Sequence, residues 1–251
     1  MTPASTATPA RFSDWIANRQ QQEPARRKGE RTRDRIRLAT VELLNEVGYR
    51  DMKVADVCAR AGITPPVLYL YFENKQALTA DVLQEFLDDF LTRGDHGEER
   101  SAYAAILDAN RHWITLARAN AGLMRCLLQL SEEVPEFARL FARASDLWYR
   151  RIAHSVVRRF PSAASDETTI HLIAHAMGGM IDELTRKLFA EPDPHVRKLA
   201  SSVARTDEQL AHFVSVLWYR ALYARDPGPE SDAAALTPRL TTAIARSRRS
   251  P

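Results

Sequence analysis

The sequence is poor in the residues that build several classes of site. Its 251 residues include only two cysteines, Cys58 and Cys126, which form no C-x-x-C pair, so neither a disulfide framework nor a thiolate zinc site is supported. It contains no run of 18 apolar residues and no signal-peptide segment, which predicts a cytoplasmic protein without a membrane span. It also lacks the G-x-S-x-G, P-loop and G-x-G-x-x-G patterns, so we expect no catalytic residue and no cofactor. Glycine is scarce, at nine residues, and this favours an all-α fold.

Charge is distributed unevenly along the first hundred residues. The net charge is only +3, but residues 26–37 hold seven basic and two acidic side chains, whereas residues 79–99 hold seven acidic and one basic. This asymmetry indicates that one end of the molecule faces phosphate. The basic run is either an arm that follows DNA or a solvated run of charges.

Residues 54–75 have the pattern of a helix-turn-helix. Apolar residues recur every three or four positions up to Ala61, Gly62 can end a helix with a positive φ, and a second apolar segment follows. Thr64 is the expected cap of this second helix, although Pro65 could take that position with Pro66 as the first helical residue. A helix before this unit, from about Thr32 to Val47, is predicted by its apolar stripe and completes a three-helix domain.

The stretch from Thr32 to Leu78 resembles the DNA-binding domain of the TetR family of transcriptional repressors. The resemblance lies in the segments Leu43–Tyr49, Val54–Val57, Ala61–Thr64, Leu68–Phe72 and Asn74–Leu78, which occur in the order and spacing of the family. It implies a sequence-specific DNA-binding regulator, most simply a repressor that a ligand releases from its operator. The implied partners are palindromic double-stranded DNA, a small, largely apolar effector and a second copy of the chain.

The resemblance, together with departures from it, selects candidate DNA contacts. Lys53 stands where the family usually has a hydroxyl side chain, so it cannot cap the helix but can meet a phosphate. Val67 and Leu70 give the base-reading face an unusually apolar character, suited to thymine methyl groups. The full set of expected DNA contacts is Lys53, Thr64, Pro66, Val67, Tyr69, Leu70, Tyr71 and Lys75.

The sequence divides into four predicted parts. Residues 1–29 form a partly disordered extension with a basic end, in which Phe12, Trp15, Ile16 and Arg19 form a short amphipathic helix. We expect this helix to pack on its own subunit rather than to bind a partner. Residues 30–76 form the DNA-binding domain, residues 77–226 a helical ligand-binding and dimerisation domain, and residues 227–251 a tail with a short helix capped by Thr237. Predicted helices of the larger domain cover about 74–93, 100–119, 121–131, 134–160, 166–190 and 207–224. Breaks between them are predicted at Pro161, Pro192, Pro194, Pro227 and Pro229.

Two sets of residues in the larger domain are assigned by this resemblance. Bulky apolar surface suits an effector pocket, with core packing as the alternative for each member: Trp113, Met124, Phe137, Phe141, Trp148 and His175. A homodimer is expected to form through the last two large helices, where mid-helix glycines permit close approach. Its predicted interface residues are Ala174, Gly178, Ile181, Phe213, Leu217 and Trp218.

Two other functions remain open from the sequence. His171 and His175 lie one helical turn apart, the spacing of a metal-binding pair, so the chain could be a helical enzyme or metal-binding protein with a chance helix-turn-helix. No acidic or thiolate partner for this pair is identifiable in the sequence. The other alternative is an interaction protein whose basic arm binds nucleic acid without sequence preference.

Overall fold

The computed structural model describes residues 11–22, 27–90, 101–128, 133–159, 166–224 and 227, and this part of the chain is helical without a β-strand. The helices are α1 Phe12–Gln22, α2 Lys28–Glu46, α3 Gly48–Asp51, α4 Val54–Ala61, α5 Pro65–Tyr69, α6 Lys75–Glu85, α7 Ala102–Ala119, α8 Ala121–Leu128, α9 Pro135–Arg159, α10 Glu167–Thr185, α11 Pro194–Val203 and α12 Asp207–Tyr223. Two π-helical segments, Phe86–Phe90 and Arg186–Ala190, continue α6 and α10. None of the described helices is both long and apolar enough to cross a membrane. The predicted C-terminal helix and the end of the helix expected to reach Arg93 lie outside the described residues.

The helices form two compact units whose boundaries fall inside α7 and α9. The first takes the described residues up to 90 together with 116–128 and 133–141, and the second takes 101–115, 142–159 and the described residues from 166 onward. This division differs from the predicted boundary at residues 76 and 77, because α8 packs against α2. At that contact, the N–H of Gly122 donates to Asn45 Oδ1 at 3.0 Å.

Close approach explains the glycine at the start of α8. A Cβ at Gly122 would lie 2.5 Å from the carbonyl carbon of Leu44 and closer still to its oxygen. These are backbone atoms, which cannot turn away as the end of a long side chain could. The first unit therefore contains a helix–helix contact that only glycine permits.

Helix α1 packs against its own subunit, as expected. Phe12 and Ile16 are fully buried, and the Phe12 ring contacts Trp15 and Phe86 at centroid distances of 5.3 and 5.4 Å. The N–H of Phe12 donates to Asn120 Oδ1 at 2.8 Å. Helix α1 is thus part of the hydrophobic core of the first unit.

A buried network of ion pairs also binds α1 to α2 and α6. Arg19 pairs with Asp34 at 2.9 Å and with Glu85, while Arg37 reaches Asp81 at 2.7 Å and Glu85 at 3.2 Å. The side chain of Asp34 is only 2% exposed and that of Glu85 only 8%. Removing one partner would leave a buried charge uncompensated, which is strongly destabilising.

Two predictions about helices need correction. Helix α2 begins at Lys28 rather than near Thr32, so the described part of the basic run is helical and not an extended arm. Helix α11 was missed because Pro194 was interpreted as a break. Pro194 instead occupies the first turn, where a missing N–H costs nothing, and Asp193 accepts hydrogen bonds from the N–H groups of His195 and Val196 at 2.8 and 3.1 Å.

Candidate DNA-binding surface and effector domain

The turn between α4 and α5 has the geometry that the sequence predicts. Gly62 lies in the left-handed region with φ 64°, which glycine adopts without the strain of a Cβ. Thr64 is the N-cap of α5, so the alternative with Pro65 as cap is wrong. The side chain of Thr64 makes no capping hydrogen bond, because Pro66 at the second helical position has no N–H and the N–H of Val67 donates to the carbonyl oxygen of Thr64 at 3.0 Å.

Helix α5 does not extend over the whole apolar segment, which continues to Phe72. It ends at Tyr69, and the chain continues as a tight turn in which the N–H groups of Tyr71 and Phe72 donate to the carbonyl of Leu68 at 2.9 and 3.1 Å. Leu68 and Phe72 are buried, as predicted, so they anchor this segment to the core. Between these anchors Leu70 is 81% exposed and Tyr69 is 54% exposed.

The other expected DNA contacts differ in exposure. Lys53, Thr64 and Pro66 are exposed, whereas Val67 and Tyr71 are half-buried. Tyr71 lies near the start of α2, where a Cβ at Gly29 would be 3.6 Å from its hydroxyl. Lys53 is the N-cap residue of α4 and has an extended backbone conformation. Its side chain makes no capping hydrogen bond.

Lys75 has a structural role that the sequence did not indicate. Its ammonium donates to the carbonyls of Tyr49 and Met52 at 3.0 and 3.1 Å and lies 4.5 Å from the centre of the Tyr49 ring. A third carbonyl, that of Arg50, is 3.5 Å away. These oxygens belong to α3 and its end, so Lys75 fixes the short connection between α2 and α4.

Part of the basic run is neutralised inside the first unit. Arg33 and Arg37 both pair with Asp81 of α6, at 2.6 and 2.7 Å. Besides Arg33, the exposed basic side chains of the same run are Arg27, Lys28, Arg31 and Arg35. Exposed cations at the start of α2 and at Lys53 are suited to phosphate contact, which fixes register without reading bases.

The expected pocket residues fall in different units. Met124, Phe137 and Phe141 belong to the first, where Met124 and Phe137 are fully buried and the Phe137 ring meets Tyr49 at 5.3 Å. Trp113, Trp148 and His175 belong to the second. Trp113 and Trp148 are partly buried against apolar clusters, and His175 is exposed.

The core of the second unit contains polar groups as well as apolar side chains. Tyr103 and His212 form a buried hydrogen bond of 2.9 Å, and Asn110 donates to Ser215 at the same distance. Burial raises the pKa of Asp182 to about 7. The buried indole N–H groups of Trp113 and Trp218 have no hydrogen-bond acceptor among the described residues.

Four residues expected at a dimer interface lie inside the subunit instead. Ala174, Gly178, Ile181 and Trp218 are buried, and a Cβ at Gly178 would lie 2.5 Å from Tyr149 Cε1 and closer to its hydroxyl. A side chain that its own subunit already covers offers no surface to a partner. Phe213 and Leu217 are half-buried. The exposed face of α10 carries other residues, namely Leu172, His175, Ala176 and Gly179.

The structure adds an acidic partner to the predicted histidine pair. Asp146 of α9 places Oδ1 3.2 Å from His171 Nε2 and 3.4 Å from His175 Nε2. Asp146 lies 25 positions before His171, so no local spacing links the two, and only the packing of α9 on α10 brings them together.

Comparisons with known proteins identify relatives of the chain. The family described as "Bacterial regulatory proteins, tetR family" matches residues 36–82. The uncharacterized HTH-type transcriptional regulator YdgC of Bacillus subtilis (strain 168) is 36% identical over 59 residues, which are 24% of this chain and 30% of that protein. The HTH-type transcriptional regulator BetI 1 of Chromohalobacter salexigens is 27% identical over 191 residues, which are 70% of this chain and 89% of that protein.

A solved structure extends the likeness beyond the DNA-binding part. The transcriptional regulator FadR of Bacillus subtilis, in complex with stearoyl-CoA, has a TM-score of 0.58 and 18% identity, covering 76% of this chain and 98% of that one. This likeness shows that the fold is shared. The two curated relatives and this structure are all described as transcriptional regulators.

Proposed function

The chain belongs to the TetR family of DNA-binding transcriptional regulators, and from that premise we propose that it is a homodimeric repressor that a small, largely apolar ligand releases from its operator. It acts in the cytoplasm, on a palindromic site read by two copies of α5. The observation that carries the proposal is the exposed tip of the helix-turn-helix, where Leu70 is 81% exposed between two buried anchors. A large apolar side chain held rigidly in solvent is suited to contact thymine methyl groups in a major groove.

The DNA-binding test compares two exposed leucines. Leu70→Asp should abolish specific binding to the DNA upstream of the chain's own gene, in a gel-shift assay with excess competitor DNA. Leu147 is 50% exposed and lies on α9, so Leu147→Asp is the matched control and should leave binding intact. Equal binding by both variants and the unsubstituted protein would contradict the assignment of the surface, and a protein that bound all sequences equally would instead be a non-specific nucleic-acid binder.

Dimerisation is proposed through the exposed face of α10 together with α12. Leu172 is 71% exposed on this face, and Gly179 beside it has no atom within 4 Å of the place of a Cβ. No described residue of the subunit requires that glycine, whereas a mid-helix glycine costs about 1 kcal/mol relative to alanine. A second copy packed closely on this face would explain it, and Phe213 and Leu217 of α12 would extend the contact.

Sedimentation tests this arrangement. Leu172→Glu should shift the protein from dimer to monomer at micromolar concentration, because each interface would bury two carboxylates near the two-fold axis. The matched control is Leu199→Glu, since Leu199 is 54% exposed on α11, away from the proposed face. A monomeric unsubstituted protein would refute the dimer.

The effector is proposed to bind within the second unit. Support comes from the two buried indole N–H groups of Trp113 and Trp218, each of which a carbonyl or carboxylate of a bound molecule would satisfy. Long-chain acyl-CoA esters are the first compounds to test, because the crystal structure of the regulator FadR, which has a similar fold, contains stearoyl-CoA. A ligand changes operator affinity only if it binds the two states of the protein unequally, and a coupling of about 1–3 kcal/mol suffices.

The effector test measures operator release and thermal stabilisation together. The compounds are acyl-CoA esters, fatty acids, aromatic acids and hydrophobic drugs. An effector should raise the melting temperature and weaken operator binding over the same concentration range. A compound that binds tightly and stabilises the protein but leaves operator affinity unchanged would contradict the coupling.

A further inference from the structure

We propose that Asp146, His171 and His175 form a binding site for a divalent transition-metal ion, with Zn²⁺ as the best fit. The site lies between α9 and α10 within the second unit. Its residues lie outside the helix-turn-helix, and the sequence pairs His171 with His175 but gives no sign of Asp146, which the packing of α9 on α10 adds.

The distances fit tetrahedral coordination. Two ligand atoms that each bind Zn²⁺ at about 2.0–2.1 Å lie about 3.3 Å apart in a tetrahedral site. The Oδ1 atom of Asp146 lies 3.2 and 3.4 Å from the two histidine Nε2 atoms. The three ligand atoms lie within 4.8 Å of one another, so a small rotation of the imidazoles closes the remaining edge.

One histidine of the site already makes a hydrogen bond to the carboxylate, since His175 Nε2 lies 3.4 Å from Asp146 Oδ1, whereas the other does not. The Nε2 of His171 is buried and has no aligned hydrogen-bond partner among the described residues, although Oδ1 is close. A metal between these atoms would accept the lone pair of each nitrogen. Arg150 takes the other carboxylate oxygen, Oδ2, at 2.8 Å, and thereby leaves Oδ1 for the histidines.

The donor set and its exposure define the kind of site. Imidazole nitrogen and carboxylate oxygen suit Zn²⁺, and the histidines stand at i and i+4 on one helix, as in helical zinc sites. The side chains of His175 and Asp146 are 43% and 36% exposed in the single subunit, so an ion can enter from solvent before a second copy covers this face of α10. Three protein ligands leave the fourth position to water or another small donor.

The rings around the site hold the ligands in position. The Tyr149 ring meets the His175 ring edge-on at a centroid distance of 4.7 Å, and the two histidine rings are 4.8 Å apart. Tyr149 is itself buried against Gly178. The packing that places Tyr149 therefore also restricts the orientation of His175, and a restricted imidazole loses less freedom on binding a metal.

The test is calorimetric titration of Zn²⁺ into the full chain, purified without a histidine tag. The unsubstituted protein should bind one Zn²⁺ per chain at this site, and His171→Gln, His175→Gln and Asp146→Asn should each weaken binding by at least about tenfold. The control is His154→Gln, because His154 is an exposed histidine on α9 outside the cluster. Circular dichroism establishes that each variant remains folded.

Cobalt supplies a readout of geometry. Co²⁺ bound to the unsubstituted protein should give the intense visible absorption of tetrahedral coordination, and both histidine variants should lose it. Absence of Zn²⁺ binding to the unsubstituted protein would overturn the proposal. So would equal affinity in His171→Gln, His175→Gln and His154→Gln, since binding would then use other groups.

Discussion

The neighbouring glycines of α10 give a matched test of how the second unit is packed. Alanine at position 178 would place its Cβ 2.5 Å from Tyr149 Cε1 and closer to the hydroxyl, whereas alanine at position 179 would meet no atom within 4 Å. Carbon atoms pack at about 3.5–4.0 Å, so Gly178→Ala must move the Tyr149 ring by more than 1 Å or separate two helices. The two substitutions have the same intrinsic effect on helix formation, but only Gly178→Ala introduces a steric clash with a described residue.

The expected magnitudes follow from these two contributions. Replacing a mid-helix glycine by alanine stabilises a helix by about 1 kcal/mol. Overpacking a core costs about 1–3 kcal/mol and occasionally more. Within the subunit, Gly178→Ala should therefore lower the free energy of unfolding by up to about 2 kcal/mol, and Gly179→Ala should raise it by about 1 kcal/mol. Urea denaturation measures both values.

A second background separates the ring contact from other causes. In a protein that already carries Tyr149→Ala, the ring is absent and Gly178→Ala should become stabilising by about 1 kcal/mol. Gly179→Ala should keep its effect in that background. If Gly178→Ala destabilised both backgrounds equally, the Tyr149 contact would not be the reason for the glycine. Sedimentation shows separately whether Gly179→Ala weakens the proposed dimer.

Three further predictions concern charged groups. Lys75→Met should lower the free energy of unfolding by about 1–3 kcal/mol, because the carbonyls of Tyr49 and Met52 lose their hydrogen-bond donor. Lys53→Met should not, but should reduce the slope of log affinity for DNA against log salt by about one unit. A Lys75→Met protein of unchanged stability would refute the positioning role. Arg19→Met should cost up to about 3–5 kcal/mol in urea denaturation, because the buried Asp34 and Glu85 would each lose one of their two arginine partners and keep only Arg37. Arg50→Met should cost under about 1 kcal/mol, because its pair with Glu133 is exposed; equal costs would mean that burial of the network is unimportant. Because burial raises the pKa of Asp182 from 3.8 to about 7, the folded protein binds more protons than the unfolded one between these values. The free energy of unfolding should therefore fall as the pH rises from about 4 to about 7, and Asp182→Asn should flatten this dependence; an unchanged slope would refute it.

Local signals account for what the sequence predicted well. The turn at Gly62, the buried anchors Leu68 and Phe72, and the helix before them follow from spacings within a few residues. The predicted amphipathic helix at Phe12 is present for the same reason. Helix α11 also has a local signal, since Asp193 followed by Pro194 is a favourable helix start, but the proline was given the opposite meaning.

The errors concern partners that are distant in sequence. A stripe of apolar or small residues shows that one face of a helix packs against another element. The spacing of the stripe is the same whether that element belongs to the same subunit or to a partner. For this reason the small residues of α10 were assigned to a dimer, although Tyr149 occupies the space above Gly178. Likewise, no local pattern connects Lys75 with the carbonyls of Tyr49 and Met52, or Asp146 with the histidine pair.

The glycine contact between α8 and α2 limits how the DNA-binding part can be exchanged with that of another regulator. A chimera that carried only the first 93 residues would leave the side of α2 at Leu44 bare, and an incoming helix would need its own glycine to approach that backbone. It would also deprive the N–H of Phe12 of its acceptor on Asn120. The transferable module is therefore discontinuous. If Tyr69 and Leu70 contact the operator as proposed, changing them on the resident scaffold is a better way to redesign operator preference than joining two proteins at a single point.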